Sequence, residues 1–270
     1  MTDTSPTISP ADERLAQAVS AAVAELPGIV AVSLGGSAAA GLADERSDLD
    51  LHVYWREPLA DLTKRADRLA RIADAGSVAV EILTWGREDH LRVQGRLVEL
   101  VYVPLDDLLG EAERAYGEGI GDEGFATARL YYVANGRLLH DPSGALGQLR
   151  ARLASYPEAT RHRLLASHPA LLQTYLRQLR LAQSRGDLLF VQHRRYTVQM
   201  VFFNALFALN RRYHPGEKRL LAHAAHCALQ PANCSARWEQ AARLAADDPA
   251  LAEVLGGLVS DLCKLIEETQ

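Results

Sequence analysis

The chain has 270 residues, room for one large domain or two of ordinary size, and its 29 Lys and Arg against 34 Asp and Glu leave a formal charge of −5. Hydrophobic residues make up 48% and charged residues 23%, a globular balance that excludes a disordered or fibrous chain. A pI near 6.0 counts against a partner held through a large basic surface, such as bulk DNA or RNA, and leaves a local basic groove open; no nucleic-acid partner is expected.

Residues 1–10 read as a polar, proline-containing tail, without the basic and apolar regions of a secretory signal. From Pro10, the residues Leu15, Val19, Val23 and Leu26 recur at helical spacing until Pro27-Gly28 stops the run. Ile29–Leu34 is a short apolar run of strand type, closed by Gly35-Gly36, and Asp48–Trp55 is a second strand. Leu59–Ala75 fits a helix, with Leu62, Ala66, Leu69 and Ile72 on one face. Strands over Val78–Trp85 and Leu97–Val103 follow, joined by a polar connection containing Gly95. This order predicts a small mixed sheet with helices on one face.

After Gly144 the pattern is helical over roughly 146–155, 169–183, 188–213, 217–229, 235–245 and 249–268. One stripe carries Val198, Val201, Phe202, Ala205, Leu206 and Leu209, as a core-facing helix should. The fold class is therefore α+β, divided into a tail at 1–10, a sheet domain at 11–142 and an all-helical domain at 143–270. No stretch approaches the roughly 20 apolar residues that span a bilayer, so no membrane partner is expected. Cys227, Cys234 and Cys263 form no C-x-x-C pair and read as packed thiols of a soluble, cytoplasmic protein.

The stretch that carries chemistry is Gly35-Gly36-Ser37, followed after ten intervening residues by Asp48-Leu49-Asp50-Leu51. A Gly-Gly-Ser turn after a strand lets the backbone approach a phosphate, with N–H groups and the Ser37 hydroxyl free to donate. Residues two apart on a strand share a face, so Asp48 and Asp50 project together while Leu49 and Leu51 face the core. Two such carboxylates repel unless a cation lies between them, and oxygen-preferring Mg²⁺ suits the pair.

Gly35-Gly36-Ser37 with Ser47-Asp48-Leu49-Asp50-Leu51 resembles the signature of the DNA polymerase β-like nucleotidyltransferase superfamily. The resemblance implies a third acid on a later strand between apolar neighbours. Glu99, within Leu97-Val98-Glu99-Leu100-Val101, answers that description, and Glu81 in Val80-Glu81-Ile82 is its rival. The helical half resembles the C-terminal domains of bacterial antibiotic-modifying adenylyltransferases of aminoglycoside or lincosamide type, prompted by the segment Phe203–Lys218. It implies Lys218 and, more weakly, Asn204 as nucleotide contacts beside Gly35, Gly36, Ser37 and Ser47; the alternatives are an ordinary surface lysine and an amide with a structural partner. His52 follows the aspartates on the same strand face and reads as a supporting group, whereas Arg195, Arg211 and Arg212 and the pair His223 and His226 read as solvated faces. Asp106, Asp107, Glu111 and Glu113 read as a solvated loop, or alternatively as an attraction for a polycation.

The function implied is Mg²⁺-dependent transfer of a nucleoside monophosphate, AMP from ATP, onto a small hydroxylated acceptor. Asp48, Asp50 and Glu99 would be the catalytic residues and would hold one or two Mg²⁺ ions. Transfer onto a protein side chain and a non-catalytic nucleotide-binding or regulatory module are the alternatives left open.

Overall fold

The structure is a computed structural model that describes residues 8–36, 48–83, 86–121 and 124–269. Helix α1 (Pro10–Ala24) begins where Ser9 Oγ accepts a hydrogen bond from the Asp12 backbone N–H at 3.0 Å and Pro10 takes the first turn. Strand β1 (Ile29–Leu34) follows, then β2 (Leu49–Trp55) and helix α2 (Leu62–Leu69), which Asp61 caps. Helix α2 is shorter than the predicted 59–75. Strands β3 (Ala79–Leu83), β4 (Gly86–Val93) and β5 (Arg96–Pro104) complete the forward run.

Strand β4 replaces the polar connection expected between two strands. Its alternation is disguised because Asp89 occupies a core position in line with the buried Leu91 and Val93. Arg65 of α2 makes that burial possible, with Nη2 at 2.7 Å and Nε at 3.0 Å from the two Asp89 oxygens, and the Tyr102 hydroxyl adds a 2.7 Å bond. A buried charge is tolerated only when paired and hydrogen-bonded in this way.

Helices α3 (Leu105–Gly117) and α4 (Ala128–Asn135) lead to β6 (Arg137–His140). The six strands form one sheet in the order β3-β4-β5-β2-β1-β6. Strands β2 and β5 are parallel and the other pairs antiparallel, so the sheet is mixed as expected. One face carries Val32, Leu34, Leu49, Leu51, Leu91, Val98 and Leu100, which pack against Leu15, Val19 and Val23 of α1 and Leu69 of α2. The other face carries the alternating polar residues.

The helices that follow are α5 (Ala145–Arg152), α6 (Glu158–Ser184), α7 (Leu188–Leu209), α8 (Leu220–Ala224), α9 (Cys234–Arg243) and α10 (Pro249–Glu267). The predicted stripe of α7 is buried, and Phe203, Phe207 and Ala208 on its other sides are buried as well. The chain forms two compact units. One runs to Ala112 and resumes over Arg129–Ser155, and the other takes Glu113–Ala128 and the chain from Tyr156 onward. The chain thus passes between units at three points, where the sequence suggests one boundary between 142 and 143. The architecture is α+β, a mixed sheet first and helices after it.

Candidate active site

Alternation along β2 puts Leu49, Leu51, Val53 and Trp55 towards the helices, leaving Asp50, His52 and Tyr54 on the opposite face. Asp48 immediately precedes the strand, two residues before Asp50. In the parallel register Asp50 lies opposite Glu99, His52 opposite Val101 and Tyr54 opposite Val103. On β4, His90 lies opposite Glu99 and Glu88 opposite Val101. A lateral row His90–Glu99–Asp50 therefore crosses three strands on the polar face. His90 Nδ1 is 3.8 Å from Glu99 Oε1, and its Nε2 is 3.8 Å from Glu88 Oε2. Glu81 pairs with Glu88 on the edge strand, three strands away from β2 in the sheet order.

The glycines after β1 close on this row. The Gly35 N–H donates to the Asp50 carbonyl at 2.8 Å, extending the β1–β2 ladder by one residue. Gly36 has φ +59°, and any Cβ there would overlap the Asp50 carboxylate, while one on Gly35 would overlap the His52 imidazole. The turn needs two glycines because the chain passes directly over the His52 and Asp50 side chains. Since the Gly35 N–H is spent on the sheet, backbone donors towards a phosphate must begin at Gly36. Ser37 and Ser47 lie outside the described residues.

His52 is buried and stacks on Tyr132 of α4, with ring centroids 4.7 Å apart and planes at 28°. Burial pushes its pKa down to about 4, so the imidazole is neutral near pH 7. Among the described residues its Nδ1 has no hydrogen-bond partner. Tyr54 bonds Ser33 Oγ at 3.2 Å, and burial pushes its phenol up to about 12.

Asp50 and Glu99 in register, with Asp48 on the same alternation, offer an all-carboxylate oxygen set of the kind Mg²⁺ prefers. Gly36 supplies a side-chain-free cradle against it. Among the described residues no three His, Cys, Asp or Glu side chains converge into a preformed metal cage.

The other candidates belong to the helical unit. Asn204 Oδ1 accepts from the Ala126 N–H at 3.2 Å and its Nδ2 donates to the Gly124 carbonyl, so the amide fastens the segment that precedes α4. Lys218 is exposed in the turn before α8. Arg211 pairs with Glu158, with its Nε at 2.6 Å, and Arg195 Nη2 donates to the Leu244 carbonyl at 2.7 Å. Asp106, Asp107 and Glu111 lie on α3 instead of a loop, and two of them are paired: Asp106 with Arg56 and Glu111 with Arg129, each at 2.9 Å. Sequence reasoning did not single out Tyr132 or Arg129, which reach the polar face from a helix with no motif of its own.

Residues 16–106 match the family described as the nucleotidyltransferase domain, and residues 124–220 match a domain of unknown function, DUF4037. No curated protein matches the chain. A crystal structure of a nucleotidyltransferase-like protein from Exiguobacterium sibiricum 255-15 superposes with a TM-score of 0.46 at 15% identity, over 95% of this chain and 74% of that one.

Proposed function

From the premise that residues 16–106 are a nucleotidyltransferase domain, consistent with the polymerase β-like superfamily, we propose that the chain moves AMP from ATP onto the hydroxyl of a small acceptor with the help of Mg²⁺. The observation that carries this reading is the placement of Asp50 opposite Glu99 on the polar face, with the Gly36 turn pressed against the Asp50 carboxylate.

In the reaction the acceptor oxygen bonds to the α-phosphorus as the bond from that phosphorus to the β-phosphate oxygen breaks, and pyrophosphate leaves. Gly36 offers the phosphates a backbone donor beside the Asp50 carboxylate. Asp48 and Asp50 hold the metal, and Glu99 either completes that set or takes the hydroxyl's proton. Mg²⁺ held by these residues would supply charge neutralisation at the phosphates and a lower pKa for the incoming hydroxyl. Alignment against these fixed carboxylates supplies most of the rate, without a covalent enzyme intermediate.

The test is thermal melting with ATP, GTP, CTP and UTP, each with and without Mg²⁺, on the wild type and Asp50→Asn. A Mg²⁺-dependent rise in Tm with ATP that the variant loses supports the proposal, because a ligand of the native state stabilises by mass action. No shift with any nucleotide at millimolar concentration overturns it.

A further inference from the structure

The polar face of the sheet does not end at the carboxylates. Beyond Asp50 along β2 lies a cavity of about 490 Å³ whose lining includes His52, Tyr54, Val101, Val103 and Tyr132. That volume falls within the range of pockets that enclose drug-sized molecules. Two residues along a strand advance about 7 Å, so a molecule resting on His52 and Val101 can reach the Asp50–Glu99 pair with one substituent.

The chemistry of the walls defines the guest. Much of the lining is apolar or aromatic: two valines, a phenol that bonds Ser33, and the ring of His52 stacked on Tyr132. The charged residues of the lining are Arg87, Arg129, Glu88 and Asp107, two of each sign. Arg129 is committed to Glu111, and Arg87 lies over the Trp55 ring with its guanidinium carbon 4.7 Å from the centroid. Counted by residue, the lining itself carries no net negative charge to draw a polycation, and its valines, proline and aromatic rings give a polyol more apolar than polar surface to meet. A flat ring system meets aromatic faces and methyl groups.

We infer that this cavity is the acceptor pocket and that the acceptor is a predominantly apolar, ring-bearing hydroxyl compound, neither a polycation nor a sugar-like polyol. The role as acceptor rests on the nucleotidyl transfer proposed above, whereas binding to the cavity does not.

The test is calorimetric titration of the full chain, without nucleotide, using 2-naphthol, spermine and glucose as separate probes. 2-Naphthol is expected to bind and the other two to bind at least about tenfold more weakly. Val101→Trp, which directs an indole into the space, should weaken 2-naphthol about tenfold or more, and Tyr132→Ala should weaken it by removing the stacking wall. Spermine binding more tightly than 2-naphthol overturns the inference even if neither variant folds. So does 2-naphthol affinity unchanged in cooperatively melting variants. A wild type that binds 2-naphthol but shows no nucleotide-dependent Tm shift retains the pocket and loses the transfer reaction, so the two failures are distinguishable.

Discussion

Gly36 and Asp50 are in such close apposition that only a residue without a side chain can stand at position 36. The glycine is in the left-handed region, at φ +59°, with the Asp50 carboxylate where its Cβ would be. The turn and the acid are thus a single construction, and changing either disturbs both.

Gly36→Ala should therefore cost about 1–2 kcal/mol of stability from the backbone alone. It should also abolish Mg²⁺-dependent stabilisation by ATP, because the methyl group displaces the carboxylate. Urea unfolding and thermal melting with ATP and Mg²⁺ measure the two effects separately. An alanine variant with an intact ATP shift would show that the apposition does not matter.

The pairing of Asp50 with Glu99 carries an electrostatic cost of its own. Like charges directly opposite each other on neighbouring strands destabilise a sheet. At pH 8 in EDTA, Glu99→Gln is expected to raise stability by a few tenths to about 1 kcal/mol, and added Mg²⁺ should stabilise the wild type more than the variant. Asp50→Asn should reduce transfer by two to three orders of magnitude or more, judged by release of pyrophosphate. If Glu99 takes the proton, Glu99→Gln loses rate without losing Mg²⁺ affinity; if it holds metal, both fall together.

Two buried histidines predict a pH dependence with a definite sign. His52 is held down to about 4 by burial, and His214 to about 3 by burial with a smaller contribution from His223. His214 Nδ1 already accepts the Gly216 N–H at 3.1 Å, which a proton there would break. Both folded-state values lie below the unfolded value near 6.5, so on acidification the unfolded chain takes up protons first. Stability is complete above about pH 6.5 and falls below it by between about 1 and 2 kcal/mol per pH unit for each histidine. Urea unfolding at pH 7 and pH 5.5 checks the slope, and His214→Phe should reduce it.

Directly behind the site, Asp89 and Arg65 form a fully buried pair beneath Tyr102. Asp89→Ala strands the guanidinium and should cost about 3–5 kcal/mol in chemical denaturation, whereas Arg65→Met with Asp89→Leu should recover most of it. A single variant as stable as the wild type would mean that the pair is not what holds β4 against α2.

The sequence singles out the candidate residues more readily than it shows the sheet around them. Asp48, Asp50 and the glycines are legible because a short spacing encodes both the turn and the shared strand face. Glu99 is legible as an acid between apolar neighbours, but its position opposite Asp50 follows from the parallel β2–β5 register, which no local pattern specifies. Strand β4 is hidden by Asp89, since a charge at a core position reads as a loop until Arg65 is placed beside it. Pro169 reads as a helix start, although α6 runs through it from Glu158. Asn204 stands out as an amide on an apolar helix, but only the folded chain shows that both its ends close on the segment 124–126.

The three crossings of the chain limit how this protein can be divided or recombined. Strand β6 completes the sheet by pairing with β1, yet the polypeptide reaches it only after contributing residues 113–128 to the helical unit. No single splice point separates two self-sufficient parts. A fragment ending at residue 112 lacks an edge strand, and one extended through residue 155 carries a piece of the other unit. Homologous modules could be exchanged here only as a pair, so whatever acceptor preference the chain has should be inherited whole.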